Sequence, residues 1–359
     1  MRTLALIGLG SNLGDRRAHL DAAVEALATI PGVEVRAISS YHETEPVGGP
    51  PGQGRFLNAA ARLWVDPEIG PGPFELLRAL QAIEARAGRI RTEHWGARTL
   101  DLDLLLYGSA RFETPELTLP HPRMAIRRFV LAPAAEVMTT GFRDPQTGLT
   151  IPELLANLDR RPSYLALAGL PGPSRQALCQ RLATSLQAVG LFRGRNSLNV
   201  VDLVAATEES FCDHILRQAF DGLVADLHRD RWTAAAWGDR WVLTDTWLDE
   251  LFVAASVRYA AREADRCLES FREALRWAHG VALPPTFVVL WEPPAEDLVE
   301  HVGVEPLARV TEAWGRYREA LKSYIEGPSC RVPTLRISQG NIEAAAIEIL
   351  AACAATRSG

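Results

Sequence analysis

Residues 95–103 read Trp95-Gly96-Ala97-Arg98-Thr99-Leu100-Asp101-Leu102-Asp103. A strand sends successive side chains to opposite faces. On a strand, Leu100, Leu102 and Leu104 share one face and enter a core, and Asp101 and Asp103 share the other. Carboxylates that close raise each other's pKa unless positive charge stands beside them. Paired carboxylate oxygens suit Mg²⁺, which takes one or two carboxylates together with substrate phosphates. Arg98 is near enough along the chain to reach such phosphates. A solvated edge strand with two surface acids shares the D-x-D pattern, so the neighbours must decide.

Outward from that stretch the chain is basic. Arg89-Ile90-Arg91-Thr92-Glu93-His94 precedes it as a polar loop, and His121, Arg123, Arg127 and Arg128 follow it. A carboxylate pair inside a basic ring is what a polyphosphate requires: Mg²⁺ bridges phosphate oxygens while arginines neutralise developing charge.

Residues 3–8 read as a buried strand. Gly8-Leu9-Gly10-Ser11-Asn12-Leu13-Gly14 then makes a tight turn into a helix over 15–30. The third glycine of a dinucleotide fingerprint is Leu13 here, which excludes that site. Pro31-Gly32 ends the helix, and residues 33–41 alternate as a half-exposed strand. Residues 43–54 are too rich in Gly and Pro for regular structure and read as a binding loop or lid. A strand resumes at Phe56-Leu57-Asn58. Leu76, Leu77, Leu80, Ile83 and Ala87 mark a helix over 73–88, with Glu84 near its end.

The chain of 359 residues implies about two domains. Its composition is that of an ordinary soluble protein, and a net charge of −6 argues against a general nucleic-acid binder. No run approaches the roughly 18 apolar residues of a membrane helix. The apolar start is too short for a signal peptide, so a cytoplasmic protein is expected. Cys179, Cys212, Cys267, Cys330 and Cys353 are widely spaced, without C-x-x-C, and read as reduced, buried thiols.

The first 160 or so residues resemble the 6-hydroxymethyl-7,8-dihydropterin pyrophosphokinases of folate biosynthesis. The resemblance rests on Gly10-Ser11-Asn12-Leu13-Gly14, Thr44-Glu45-Pro46-Val47-Gly48, Phe56-Leu57-Asn58, Gly88-Arg89-Ile90-Arg91, the stretch 95–103, and Pro120-His121-Pro122-Arg123-Met124, in the family's order. It implies an α+β ferredoxin-like N-terminal domain over 1–160. It also implies transfer of pyrophosphate from ATP to the pterin hydroxymethyl group, leaving AMP. Asp101 and Asp103 would bind two Mg²⁺ ions, and Arg89 and Arg98 would stabilise the transferred group. Phe56 and Phe129 would sandwich the pterin, while Asn58 and the backbone of Thr44, Pro46 and Val47 would read its polar edge. Gln81, Glu84, Arg91, Trp95, Thr118, His121 and Arg127 would hold ATP. Thr92 and Glu116 stand where relatives often carry basic residues. The loops at 47–54 and 88–95 are expected to move and to close over ATP.

A second domain is expected over 161–359. A strand at 164–168 leads into Gly169-Leu170-Pro171-Gly172-Pro173-Ser174-Arg175-Gln176 and a helix, the layout of a phosphate loop. Ser174, Arg175 and Gln176 replace that loop's glycine, lysine and metal-binding hydroxyl. Residues 241–247 and 285–298 resemble deoxynucleoside kinases, but residues 300–306, where the arginine-rich lid of those enzymes belongs, hold no arginine. The resemblance implies an α/β P-loop-kinase-like three-layer C-terminal domain that is inactive, structural or regulatory, with a homodimer through this domain. An active nucleoside kinase, making the chain bifunctional, is the alternative.

Overall fold

The computed structural model describes residues 2–89, 95–139, 141–169, 172–192, 209–260, 265–292, 307–337 and 341–358. The chain divides into two compact units, Met1–Leu158 with Ala351–Gly359, and Asp159–Leu350.

The first unit is built on β1 (Thr3–Ser11), α1 (Arg16–Ala28), β2 (Val33–Ile38), β3 (His42–Thr44), β4 (Phe56–Val65), α2 (Pro73–Arg86) and β5 (Asp101–Tyr107). The sheet order is β2-β4-β1-β5, all antiparallel, with β3 also on β4. That is the split β-α-β pattern of a ferredoxin-like fold. The hairpin β6 (Phe112–Glu113) and β7 (Thr118–Leu119), α3 (Arg128–Val137) and α4 (Ile151–Asp159) complete the unit.

Sequence chemistry accounts for the helix ends. Asp15 caps α1 by accepting from Ala18 N at 3.0 Å. Pro73 opens α2, where its missing N–H costs nothing. Leu20, Leu27, Leu76 and Leu80 are fully buried against Ile7, Leu63 and Leu102. Each such side chain contributes about 1.5–3 kcal/mol. The opposite sheet face is also covered, with Leu6, Leu105 and Leu106 packed among Val130, Leu131, Leu154 and Leu158.

The β1–β5 register departs from strict alternation in one place. Leu104 pairs with Ile7 but Leu106 with Leu6, so a one-residue bulge follows Leu104 and turns Leu106 to the α3 face. The strand itself starts at Asp101, and Leu100 is buried just ahead of it. The strand runs on past Gly8, so that Gly10, expected in the turn, instead lies within β1 opposite Asp101, as Gly8 lies opposite Asp103. Only Gly14, at φ +66°, makes the turn.

The second unit holds a five-stranded parallel sheet of β8 (Ser163–Gly169), β9 (Val189–Leu191), β10 (Trp241–Thr244), β11 (Phe287–Trp291) and β12 (Thr334–Ile337), in the order β12-β11-β8-β10-β9. Every residue of β8 is buried, as a central parallel strand between helical layers requires. Its longer helices are α5 (Pro173–Leu186), α6 (Glu209–Asp226), α7 (Leu248–Ala260), α8 (Asp265–Val281), α9 (Leu307–Glu326) and α10 (Ile342–Ala355), whose residues from Ala351 on group with the first unit. Among the described residues no helix is long and apolar enough to cross a membrane. Cys179, Cys330 and Cys353 are buried free thiols, but Cys267 is exposed, contrary to expectation. Residues 293–298 and 300–306, expected as a kinase helix and lid, lie outside the described residues.

Candidate active site

Asp101 and Asp103 stand two residues apart on β5, on the sheet face that α3 covers. Their side chains keep 21% and 33% of their surface exposed, enough to reach a ligand. Across the sheet lies Gly10. A Cβ there would come within 3.2 Å of Asn58 Oδ1, so glycine lets β1 pass between Asp101 and the polar tip of β4.

The sequence places no cation between the two carboxylates, but the tertiary structure does. Arg89 reaches Asp101 Oδ1 at 2.6 Å and Arg98 reaches Asp101 Oδ2 at 3.0 Å. Arg127 lies 3.8 Å from Asp103 Oδ2. Burial first, and then the charge of Asp103, push Asp101 above the usual carboxylate range, against the pull of Arg98 and Arg89. At Asp103 burial works the same way, but His121 when it is protonated, and Arg127, Arg98 and Arg89 at any pH, outweigh it and hold the carboxyl low. One acid of the pair therefore takes most of the mutual repulsion. Hard oxygen donors in tandem fit Mg²⁺.

Burial, together with Arg127 and Arg123, drives His121 down to about 4, so its ring is neutral at pH 7. Arg123 N donates to His121 Nδ1 at 3.3 Å. The ring proton is thereby assigned to Nε2, which is left as a donor.

Glu84, expected among the ATP ligands, is buried near the end of α2. Its buried carboxylate accepts from Leu102 N at 2.7 Å and pairs with Arg89. It is committed to holding Arg89 against β5. Gln81 is exposed on α2 and Thr118 half-buried on β7. Arg91 and Thr92 lie outside the described residues, and Glu116 pairs with Arg78 at 3.1 Å on the surface.

On the other side, Thr44 and Asn58 are buried, and Asn58 Nδ2 donates to Thr44 Oγ1 at 2.9 Å. Pro46 and Val47 are half-buried. Phe56 and Phe129 are half-buried rings, each beside an arginine: Arg98 is 5.7 Å from the Phe56 centroid and Arg127 is 5.6 Å from that of Phe129.

Sequence reasoning missed a set of positioning residues. Asn12 N donates to Arg98 O at 3.1 Å, and Asn12 Oδ1 accepts from Arg98 N at 2.7 Å. Asn12 Nδ2 donates to Gln53 Oε1 at 3.4 Å and Gly54 O at 3.3 Å, and Gln53 Nε2 donates to Trp95 O at 3.1 Å. Trp95 adopts φ 58°, with Arg123 5.5 Å from its ring. A Cβ on Gly48 would stand 2.6 Å from Trp95 Cε3, and one on Gly49 2.3 Å from Trp95 O. The loop expected as a lid is thus fastened to the 95–98 stretch. The available signal was Gln53, a lone long amide in a run of Gly and Pro.

The family described as 7,8-dihydro-6-hydroxymethylpterin-pyrophosphokinase matches residues 6–139. The 2-amino-4-hydroxy-6-hydroxymethyldihydropteridine pyrophosphokinase of Synechocystis sp. is 42% identical over 155 residues, covering 43% of this chain and 76% of the relative. Its counterpart in Bacillus subtilis is 47% identical over 137 residues, covering 38% of this chain and 79% of the relative. The chain belongs to the 7,8-dihydro-6-hydroxymethylpterin-pyrophosphokinase family. As a member of that family it is an enzyme, a pyrophosphokinase, and the matched residues contain every site side chain described above. A solved deoxyadenosine kinase from M. mycoides is similar at a TM-score of 0.39 and 11% identity, covering 52% of this chain and 96% of that one. So slight a likeness carries no weight for the second unit, whose fold rests on its strand pairing.

Proposed function

We propose that the first unit transfers the β,γ-pyrophosphoryl group of ATP to the hydroxymethyl oxygen of 6-hydroxymethyl-7,8-dihydropterin, a step of folate biosynthesis. The observation that carries this reading is the Asp101–Asp103 pair ringed by Arg89, Arg98, Arg127 and His121, with Phe56, Asn58 and Thr44 beside it.

The pterin hydroxyl gives up its proton to solvent, its oxygen bonds to the β-phosphorus, and the oxygen linking the α- and β-phosphates leaves on AMP. Asp101 and Asp103 are the residues that would hold Mg²⁺, two ions in this reading. When bound, such ions neutralise phosphate charge and lower the pKa of the acceptor hydroxyl. Arg89 and Arg98, now paired with Asp101, are placed to turn onto the transferred group. His121 offers its Nε2 proton to a phosphate oxygen, and Arg127 adds charge beside it. Phe56 and Phe129 stack on the pterin, and Asn58 and Thr44 with the Pro46–Val47 backbone bond its polar edge. Gln81, Thr118, Trp95 and Arg91 complete the nucleotide side. No side chain is assigned as general base.

The second unit is read as a degenerate P-loop-kinase-like domain without phosphoryl transfer, serving structure, regulation or dimerisation. Arg175 supports this: it is buried, donates to Gly169 O at 2.9 Å and lies 3.3 Å from Glu250. Its charge is spent internally rather than offered to a phosphate. The protein is read as cytoplasmic, with small-molecule substrates and no nucleic-acid partner.

The test is AMP release by the full chain from ATP, Mg²⁺ and the pterin. Asp101→Ala and Asp103→Ala should each lower it by about 100-fold or more, since several kcal/mol of charge stabilisation are lost. Near-normal turnover in either variant removes the metal assignment.

A further inference from the structure

The corner between β2 and β3 carries a polar cluster that the reaction does not use. Glu136, near the end of α3, accepts from Ser40 N at 2.7 Å, Ser40 Oγ at 2.8 Å and His42 Nε2 at 2.6 Å. Ser40 Oγ also lies 3.3 Å from His42 Nε2. The Ser40 amide above all, then the Ser40 hydroxyl and His42, hold the Glu136 carboxyl below its ordinary range. Hydrogen bonds to an ionised acceptor are the stronger kind. Ser39 next door is buried and pinned to β4: its N–H donates to Ala60 O at 3.0 Å and its Oγ accepts from Ala60 N at 2.9 Å. The corner is therefore tied to the sheet by Ser39 and to α3 by Ser40 and His42.

Both elements so tied carry acceptor-side residues. In the β3–β4 register His42 stands opposite Asn58 and Thr44 opposite Phe56. Helix α3 packs on β3 and β4, and Phe129 lies in its first turn. Phe129 and Glu136 are seven residues apart, two turns along one helix face. The cluster thus joins, at one end, the two walls whose other end holds Phe56 and Phe129.

We propose that Glu136, with His42 and Ser40, positions the two aromatic walls of the acceptor site and so sets its selectivity for a flat heteroaromatic ring. This rests on the reading of Thr44, Phe56, Asn58 and Phe129 as pterin contacts. Glu136 and His42 are positioning residues. They act on acceptor binding through the walls, and the nucleotide end, held by Glu84, Arg89 and Asn12, is independent of them.

The full chain is assayed with ATP and the pterin, and the folded fraction is followed by thermal melting. Glu136→Ala should raise the pterin KM about five- to tenfold, with kcat and the ATP KM within about twofold. His42→Ala should raise the pterin KM about threefold, and His42→Gln, which keeps an N–H donor, should return it toward wild type. The double variant should be no worse than Glu136→Ala, because both changes remove one shared interaction. An unchanged pterin KM, an equal rise in the ATP KM, or fully additive effects overturns the proposal. A loss of folded protein alone would lower kcat and leave the pterin KM where it was, and that result also overturns it. A wild-type chain that turns over no pterin overturns the acceptor-site reading itself, whereas normal wild-type turnover with unaffected variants overturns only this inference.

Discussion

Asn12 shows how much one buried amide can organise. It clamps both backbone polar groups of Arg98 and reaches Gln53 and Gly54, tying the guanidinium that meets Asp101 to the loop beside the acceptor site. Removing its side chain leaves Arg98 N, Gln53 Oε1 and Gly54 O without this partner, at about 1 kcal/mol or more for each bond. Asn12→Ala should therefore lower kcat about tenfold while the fold persists, read by steady-state kinetics beside a thermal melt. An unchanged kcat would show that Arg98 is held without it. The Asp101–Asp103 pair belongs to the same scale: the two acids differ because their neighbours differ, and both variants should fail in the AMP assay.

Among the elements, β5 does the most. Its alternation sends Leu102 and Leu104 into one core and the acids to the other face, and its bulge lets Leu105 and Leu106 join the core beneath α3. In the second unit, α7, α8 and α9 meet at Asp249, which is 2.7 Å from His279 Nε2 and accepts from Tyr324 Oη at 2.7 Å. The hydrogen bond to Asp249 raises His279 above its ordinary value, against burial. A base raised on folding contributes stability that is fully present below its unfolded pKa of about 6.5 and is lost as pH climbs through the raised value. His279 is half exposed, so screening keeps this below about 1 kcal/mol. Hydrogen exchange corrected for intrinsic rates should show these helices better protected at pH 6 than at pH 8.5, with His279→Gln flattening the difference. Equal pH dependence in both proteins would remove the pair from the account.

For the whole molecule the question is how many nucleotide sites the chain has. Arg175 and Gly169 N both turn to the buried Glu250, which also accepts from Tyr317 Oη at 2.8 Å. Calorimetric titration of the full chain with a non-hydrolysable ATP analogue and Mg²⁺ should give one site per chain, and Asp101→Ala should abolish it. A second site surviving in that variant would make the chain bifunctional.

Local pattern determined much of this. The period of two at 100–104 placed the acids opposite the leucines, Pro31-Gly32 ended α1, and strand–helix order fitted the ferredoxin-like sheet that the family resemblance implied. Each depends on residues adjacent in the chain, where backbone geometry dictates the outcome. That Arg175 stands where a phosphate loop would carry lysine was equally legible, because a residue type is read directly. Tertiary structure alone decided that Arg89 and Arg98 neutralise Asp101, that Glu84 pairs with Arg89, that Gly10 makes room for Asn58, that Asn12 and Gln53 fasten the loop to Trp95, and that Glu136 reaches His42. Most of these pairs lie tens of residues apart, and the near ones, Arg98–Asp101 and Glu84–Arg89, join a loop residue to a strand or helix. Their interaction follows from side-chain direction and distance across the sheet, which one-dimensional spacing does not contain.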